Sequence, residues 1–245
     1  YGIPNCMTAD GPAGLRIAPE CGVTTTAWPC ATLLAATWNP NVVYQVGAAG
    51  GKEVKENNIA AWLTPALNIH RSPLCGRNFE YYSEDPLLAG VLAGAMVKGI
   101  QSQGVAATVK HFALNNKETD RKHSDSRVSE RAAREIYLKA FEYVIKGAKP
   151  WAVMSSYNII NGCYASENKE LLEDILRDEW GFDGMVTTDW WTLGEHYKEV
   201  KAGNDMKMAC GDPKRLKEAV DQGLLTRQDL EHCAERVLNL ILKLD

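Results

Sequence analysis

Short apolar runs alternate along the chain with longer segments that carry helical patterns of apolar residues. The short runs are typical of buried strands, and the longer patterns are typical of amphipathic helices. Their alternation predicts βαβ units built around a parallel sheet, and therefore an α/β fold. The candidate strands are Asn5–Ala9, Ala31–Thr37, Trp62–Leu67, Ala106–His111, Ala152–Ser155, Met185–Thr188 and Asp205–Met208.

Helix-start signals support this interpretation. In Asn39-Pro40 and Asp85-Pro86, a residue suited to the N-cap precedes proline at the first helical position. Thr226 with Asp229 three positions later is a capping-box pattern. The predicted helices begin after Asn39, run from Asp85 to about Gln103 with Gly104 closing the helix, span Ser129–Ile145 with a stop at Gly147, and span Arg227–Leu244.

Length and composition narrow the class of protein. The chain has 245 residues, 45% hydrophobic and 24% charged, which suits one soluble domain over residues 1–245. That length is typical of a (β/α)8 TIM-like barrel, and we predict this architecture while allowing for irregular strands. The chain starts at Tyr1 without an initiator methionine, so we expect it to be a piece of a longer polypeptide.

Charge and cysteine usage exclude several partners. The net charge is −4 with both signs interleaved, and no basic run would follow a phosphate backbone, so we expect no nucleic-acid partner. No stretch is apolar for long enough to cross a bilayer, and no signal peptide is visible. The seven cysteines are scattered without Cys-x-x-Cys spacing, which favours reduced side chains and no zinc site. We therefore expect a cytoplasmic protein, or a secreted one if the full chain carries a signal peptide.

The segment from Met185 to Trp191 is the most informative part of the chain. A short apolar run ends there in the carboxylate of Asp189, followed directly by Trp190 and Trp191. An acid at the C-terminal tip of a strand suits catalysis at the mouth of a barrel, and an indole can lie against the C–H face of a sugar. The alternative is a strand end with an N-cap aspartate and two core tryptophans.

Polar residues also follow the other predicted strands. They are Asp10, Arg77, Lys110, His111 and Tyr157. Barrel active sites are assembled at these positions, and such side chains could bind the hydroxyl groups of a neutral polyol. In this interpretation the cations keep the pKa of Asp189 low.

Each of these residues also has a structural explanation. Asp10 could cap a turn with Gly11, and Arg77 could form an ion pair with Glu80 or Glu84. Lys110 could form a salt bridge in the core, and Tyr157 could be a packed ring. Five coincidences at one rim are less probable than one site.

Several longer motifs resemble signatures of glycoside hydrolase family 3. They are Asp10-Gly11-Pro12, Gly76 to Pro86 (GRNFEYYSEDP), Lys110-His111-Phe112-Ala113, Val153 to Asn158 (VMSSYN), and Gly181-Phe182-Asp183-Gly184 leading into Thr188-Asp189-Trp190. The match is collinear and covers nearly the whole chain. The sequence resembles the barrel domain of a family β-glucosidase.

The resemblance implies a function and a set of roles. The implied activity is that of a retaining exo-β-glycosidase that forms a covalent glycosyl ester on Asp189 and needs no cofactor or metal. Trp190 would stack at the subsite boundary. The residues implied to bind the nonreducing-end sugar are Asp10, Arg77, Lys110, His111 and Tyr157.

The sequence departs from the family pattern in one respect. Family β-glucosidases take their acid/base glutamate from an α/β sandwich domain that we do not find in this chain. We read Glu80, Glu84 and Glu118 as supporting or loop residues. We expect the acid to come from a missing domain, placed before this one in the gene, or from a second chain.

A related branch, the N-acetylglucosaminidases, carries its acid/base histidine in an Asp-Ser-His loop. The corresponding loop here reads Asp125-Ser126-Arg127, and arginine cannot act as a general acid. His123 lies two positions early, so this branch is disfavoured.

Other functions stay open at this point. A β-xylosidase or arabinosidase of the same family would share the motifs. An aldolase-type barrel could use Lys110 to form a Schiff base. The chain in isolation could also be a sugar-binding fragment without turnover.

Overall fold

The computed structural model describes residues 2–244, which form a parallel sheet flanked by helices. The strands in chain order are β1 (Thr8–Ala9), β2 (Ala61–Trp62), β3 (Ala106–Phe112), β4 (Asp125–Ser126), β5 (Ala152–Ser155), β6 (Ile159–Ile160), β7 (Cys163–Tyr164) and β8 (Met185–Thr188).

The main sheet has the order β1-β2-β3-β5-β8, and every neighbouring pair in it is parallel. Single parallel bridges extend it, from Ala66 to Lys110 and from Thr187 to Met206. A small second sheet, β4-β6-β7, lies outside it. The α/β class with a parallel sheet is confirmed. Residues 2–244 show a curled half-barrel, and closure into eight strands stays a prediction.

Helices connect the strands of the main sheet. They are α1 (Ala31–Ala36), α2 (Pro40–Glu56), α3 (Pro86–Gln101), α4 (Glu130–Ala132), α5 (Lys139–Ala148), α6 (His196–Lys201), α7 (Pro213–Asp221) and α8 (Arg227–Leu244). Residues Ala133–Tyr137 and Glu170–Glu179 are π-helical. The helix predicted over Ser129–Ile145 is therefore broken into α4, a π-helical turn and α5.

The three predicted helix starts are confirmed by their hydrogen bonds. The Asn39 side chain accepts from the Asn41 amide at 3.0 Å, and the Asp85 side chain accepts from the Leu87 amide at 2.7 Å. At α8, Thr226 and Asp229 bond reciprocally, as a capping box requires.

One strand prediction was wrong. Ala31–Thr37 was predicted as a strand, but Ala31–Ala36 forms helix α1. Its buried residues, Ala31, Leu34 and Ala35, have the i, i+3, i+4 spacing of a helix face. Alanine and leucine are also strong helix formers, which a search for short apolar runs does not take into account.

The other strand predictions were confirmed to different extents. Ala152–Ser155 and Met185–Thr188 have the predicted bounds, and the strand from Ala106 extends to Phe112. The first prediction shortens to β1. The third overlaps β2 only at Trp62 and has a bridge at Ala66, and Asp205–Met208 reduces to the bridge at Met206.

The core lies between the sheet and the helices. Helices α2 and α3 approach each other through Gly47, where an added Cβ would lie 2.7 Å from the Met96 carbonyl oxygen. The seven cysteines are not paired with one another in the structure. Among the helices described in residues 2–244, none is long and apolar enough to cross a membrane.

Candidate active site

All seven residues predicted for the site line one cavity of about 530 Å³ at the C-terminal ends of the main-sheet strands. This volume lies in the range typical of pockets for small ligands. The seven residues are Asp10, Arg77, Lys110, His111, Tyr157, Asp189 and Trp190. The parallel order of the strands explains the convergence, because it brings their carboxyl ends to one edge.

An ion pair between Asp10 and Lys110 joins the loop after β1 to β3. Lys110 Nζ lies 2.5 Å from Asp10 Oδ1, and Arg16 Nη1 lies 3.2 Å from the other oxygen, Oδ2. Burial opposes ionisation of Asp10, but the charge and hydrogen bond of Lys110 outweigh it and lower the pKa of this carboxyl. Asp10 is therefore a carboxylate that can accept hydrogen bonds from a ligand.

Arg77 lies in the loop after β2 and has two buried partners. Its Nε lies 2.5 Å from Glu80 Oε1, and its Nη2 lies 2.7 Å from His111 Nε2. The ion pair with Glu80, which the sequence offered as a structural alternative, therefore exists within the site itself. It fixes the guanidinium at the cavity wall.

Asp189 directly follows β8 and is only 8% exposed. Its Oδ1 accepts from the Trp190 amide at 2.7 Å. Its Oδ2 is buried and has no hydrogen-bond partner in the described part of the chain, and the imidazole Nε2 of His111 lies 3.9 Å away. This oxygen therefore has unused capacity to accept a hydrogen bond.

The pKa of Asp189 does not follow the sequence-based expectation. Burial raises it above the usual value, although the Trp190 amide, Lys110 and Arg77 act in the opposite direction. The prediction that the cations keep this pKa low was wrong, because a sequence shows nearby charges but not the loss of hydration.

Tyr157 and Trp190 form the wall next to Asp189. The Tyr157 hydroxyl donates to the Trp190 carbonyl at 2.7 Å. Burial and the charge of Asp189 raise the pKa of Tyr157, so its hydroxyl keeps its proton. The guanidinium of Arg121 lies 4.6 Å from the centre of the Tyr157 ring.

The cavity also contains residues that the sequence analysis did not assign to it. Arg16, Phe79 and Arg121 belong to its lining. Arg121 lies in the charge-rich segment 115–128 that follows β3. Lys122 from the same segment donates to the Trp191 carbonyl at 2.9 Å. The charge density of this segment was the available signal, but it did not indicate which cation faces inward.

No group of three or more His, Cys, Asp or Glu side chains within residues 2–244 is arranged to hold a metal ion. The groups that the cavity offers are hydrogen-bond donors, carboxylates and aromatic rings. These groups suit a neutral, hydroxyl-rich ligand.

Comparison with known proteins identifies the family. The family model of the glycosyl hydrolase family 3 N-terminal domain matches residues 1–240. The chain therefore belongs to glycoside hydrolase family 3, and the resemblance seen in the motifs is confirmed.

Individual relatives agree with this assignment. Beta-glucosidase A of Butyrivibrio fibrisolvens is 66% identical over 230 residues, which cover 94% of this chain and 28% of that protein. An exo-alpha-(1->6)-L-arabinopyranosidase of Bifidobacterium longum is 44% identical over 99% of this chain and 33% of its own length. The chain thus spans about a third or less of these relatives.

A solved structure shows the same fold. Beta-glucosidase 3B of Thermotoga neapolitana, in a complex with glucose, matches with a TM-score of 0.96 and 47% identity. The match covers 99% of this chain and 36% of that one.

Proposed function

We propose that this chain is the nucleophile-bearing part of a retaining exo-β-glycosidase, and specifically of a β-glucosidase. One observation carries the proposal: Asp189 lines a cavity together with groups that bind hydroxyls, and its buried Oδ2 has no hydrogen-bond partner among residues 2–244. A buried polar atom without a partner calls for an explanation, and a ligand bound beside Asp189 in this cavity would supply one.

The first chemical step follows from this geometry. An Asp189 carboxylate oxygen attacks the anomeric carbon, a C–O ester bond forms, and the bond to the aglycone oxygen breaks with its electron pair. The leaving oxygen takes a proton from a general acid. Water then gives a proton to the conjugate base of that acid and attacks the same carbon, which breaks the ester and regenerates the carboxylate. The two displacements retain the anomeric configuration.

The surrounding residues would orient the sugar. Asp10 accepts hydroxyl protons, while Lys110 and Arg77 donate to hydroxyl oxygens. Tyr157 supports the loop that carries the nucleophile through its bond to the Trp190 carbonyl. Trp190 offers its ring to the apolar face of the sugar.

We propose that the general acid comes from outside this chain. Glu80 is held by Arg77, and Glu118 bonds Arg121 at 2.7 Å, so both carboxylates already have cationic partners. Glu84 is exposed and does not belong to the cavity lining. The much greater length of the relatives supports a further domain that supplies the acid.

Glucose is the sugar that we propose for the site, since the relative at 66% identity is a β-glucosidase. A pentose is the second candidate, because an arabinopyranosidase is 44% identical. The aldolase alternative is disfavoured by family membership and by the contact of Lys110 with Asp10, which occupies the amine that a Schiff base would need.

A covalent trapping experiment tests the proposal. The chain is incubated with 2,4-dinitrophenyl 2-deoxy-2-fluoro-β-glucoside, whose leaving group needs no acid, and its intact mass is measured. We expect one added fluoroglucosyl group on Asp189 and none on Asp189→Asn. Labelling that persists in Asp189→Asn would contradict the assignment of the nucleophile. Turnover of alkyl glucosides should be very weak, because general-acid catalysis contributes about 10² to 10⁴-fold.

A further inference from the structure

Each of the two imidazole nitrogens of His111 faces a polar group of the protein. Nε2 lies 2.7 Å from Arg77 Nη2, and Nδ1 lies 3.3 Å from the Tyr81 hydroxyl oxygen. The residue is only 1% exposed. The proton position on the ring is therefore decided by these two partners and not by water.

Arg77 determines the state of Nε2. A guanidinium has only donors, so an N–H on Nε2 would place two donors against each other at 2.7 Å. Nε2 must offer its lone pair to Arg77. A neutral ring then carries its single proton on Nδ1.

The hydroxyl oxygen of Tyr81 is suited to accept a hydrogen bond from this Nδ1–H group. Its hydroxyl oxygen faces Nδ1, and its own hydrogen has the Asn115 carbonyl as an acceptor at 3.4 Å. Burial holds the pKa of Tyr81 well above its usual value, so the phenol stays protonated. The hydrogen bonds thus run in one direction from Arg77 through the ring to Asn115.

The charges around the ring oppose a second proton. Arg77, Lys110 and Arg121 are cations that act on His111, and together with burial they lower its pKa well below the usual value. The carboxylate of Asp189 lies at 3.9 Å, beyond hydrogen-bond distance. Glu80 is held by the guanidinium of Arg77.

The main chain of His111 is fixed independently of its ring. The Asn68 side chain accepts from the His111 amide at 2.8 Å and donates to its carbonyl at 2.9 Å. A change at Tyr81 therefore acts on the ring while the backbone keeps its two bonds.

We propose that Tyr81 is a positioning residue that holds His111 as the neutral Nδ1–H tautomer, with Nε2 as an acceptor for Arg77. His111 then orients Arg77, and toward a sugar hydroxyl its Nε2 could only accept a hydrogen bond, not donate one. The statement about the sugar rests on the proposed function, but the statement about the tautomer does not.

Nitrogen NMR of the ¹⁵N-histidine-labelled chain tests the tautomer. The chain has five histidines, and the signals of His111 are assigned by their loss in His111→Gln. Two-bond ¹H–¹⁵N spectra should show protonated Nδ1 and unprotonated Nε2. A ring protonated at Nε2, or at both nitrogens, at neutral pH would overturn the proposal. This result does not depend on whether the chain reacts with a glycoside.

Tyr81→Phe tests the role of the hydroxyl, with Tyr82→Phe as the matched control, since Tyr82 is also buried but no bond joins it to His111. We expect Tyr81→Phe to shift the Nδ1–H resonances and to weaken reagent binding in the trapping assay by about tenfold. Tyr82→Phe should leave the Nδ1–H resonances and the binding of the reagent unchanged. Unshifted His111 signals in a folded Tyr81→Phe chain would overturn the role of Tyr81. If that variant does not fold, the wild-type spectrum alone decides the tautomer.

If wild-type trapping fails while the tautomer is as expected, the proposed function is contradicted and the hydrogen-bond assignment stands.

Discussion

Two buried aspartates close to β8 differ in how their oxygens are satisfied. Asp205 has a fully buried side chain, and its Oδ2 accepts from the Val186 amide at 2.7 Å and from Arg177 Nη2 at 2.8 Å. Its Oδ1 accepts from Arg236 Nη1 at 3.2 Å. Asp189 has one accepted bond from Trp190, and its second oxygen has no partner among residues 2–244.

The difference separates a structural carboxylate from a candidate catalytic one. Both residues are aspartates with largely buried side chains, so neither burial nor residue type distinguishes them. Asp205 neutralises two arginines and joins α8 to β8, so its bonds stabilise the fold. Asp189 keeps an oxygen that only a ligand or a further part of the protein can satisfy, which is a cost in free energy that a functional site tolerates.

The largest effect that we expect comes from Asp205→Asn. An amide has only one acceptor oxygen, so it cannot serve the three donors that converge on Asp205. The buried Arg177 and the half-buried Arg236 also lose one of their two carboxylate partners and keep only Glu173. We expect a loss of about 3 kcal/mol in the free energy of unfolding, measured by urea denaturation. A loss below about 1 kcal/mol would contradict the structural role.

The next largest effect that we expect is a slower covalent labelling of the cavity in Lys110→Met. Lys110→Met keeps the length of the buried side chain but removes the charge that Asp10 and the sugar would contact. We expect the second-order rate of covalent labelling to fall about tenfold to hundredfold, which corresponds to the loss of a charge-assisted hydrogen bond. Lys98→Met, at an exposed position on α3, is the matched control and should label at the wild-type rate.

Asp189→Asn should change stability in the opposite direction from Asp205→Asn. The substitution removes a buried charge with one unpartnered oxygen and leaves an acceptor for the Trp190 amide. We expect the free energy of unfolding to rise by about 1 kcal/mol at neutral pH, while labelling is abolished. A destabilised Asp189→Asn chain would indicate that this carboxylate also supports the fold.

The smallest effect is a pH dependence of that difference. Because the pKa of Asp189 is raised in the folded chain, the folded state binds its proton more tightly than the unfolded state does, and stability falls as pH rises through this range. The advantage of Asp189→Asn should therefore be least at acid pH, grow above the ordinary value of 3.8, and level off once pH exceeds the folded pKa. Unfolding curves of both chains at several pH values measure it. An advantage that shrinks with rising pH would contradict the raised pKa.

Sequence patterns predicted most of the fold where local signals were strong. The caps at Asn39, Asp85 and Thr226 were confirmed, because a capping side chain bonds to amides two or three residues away. Ala31–Ala36 was misassigned, because a run of six mostly apolar residues fits a buried strand as well as a short helix.

The sequence by itself determined seven residues of the cavity, because each lies in or after a strand of a parallel sheet and within a family motif, but it did not assign Arg16, Phe79 or Arg121. Only the tertiary structure decided their hydrogen-bond partners and the direction of their pKa shifts. It placed Glu80 against Arg77, and it showed that burial outweighs the cations at Asp189. It also turned both nitrogens of His111 toward protein partners. Loss of hydration and hydrogen-bond direction depend on groups distant in the chain, so these properties exist only once the sheet has brought the strand ends together.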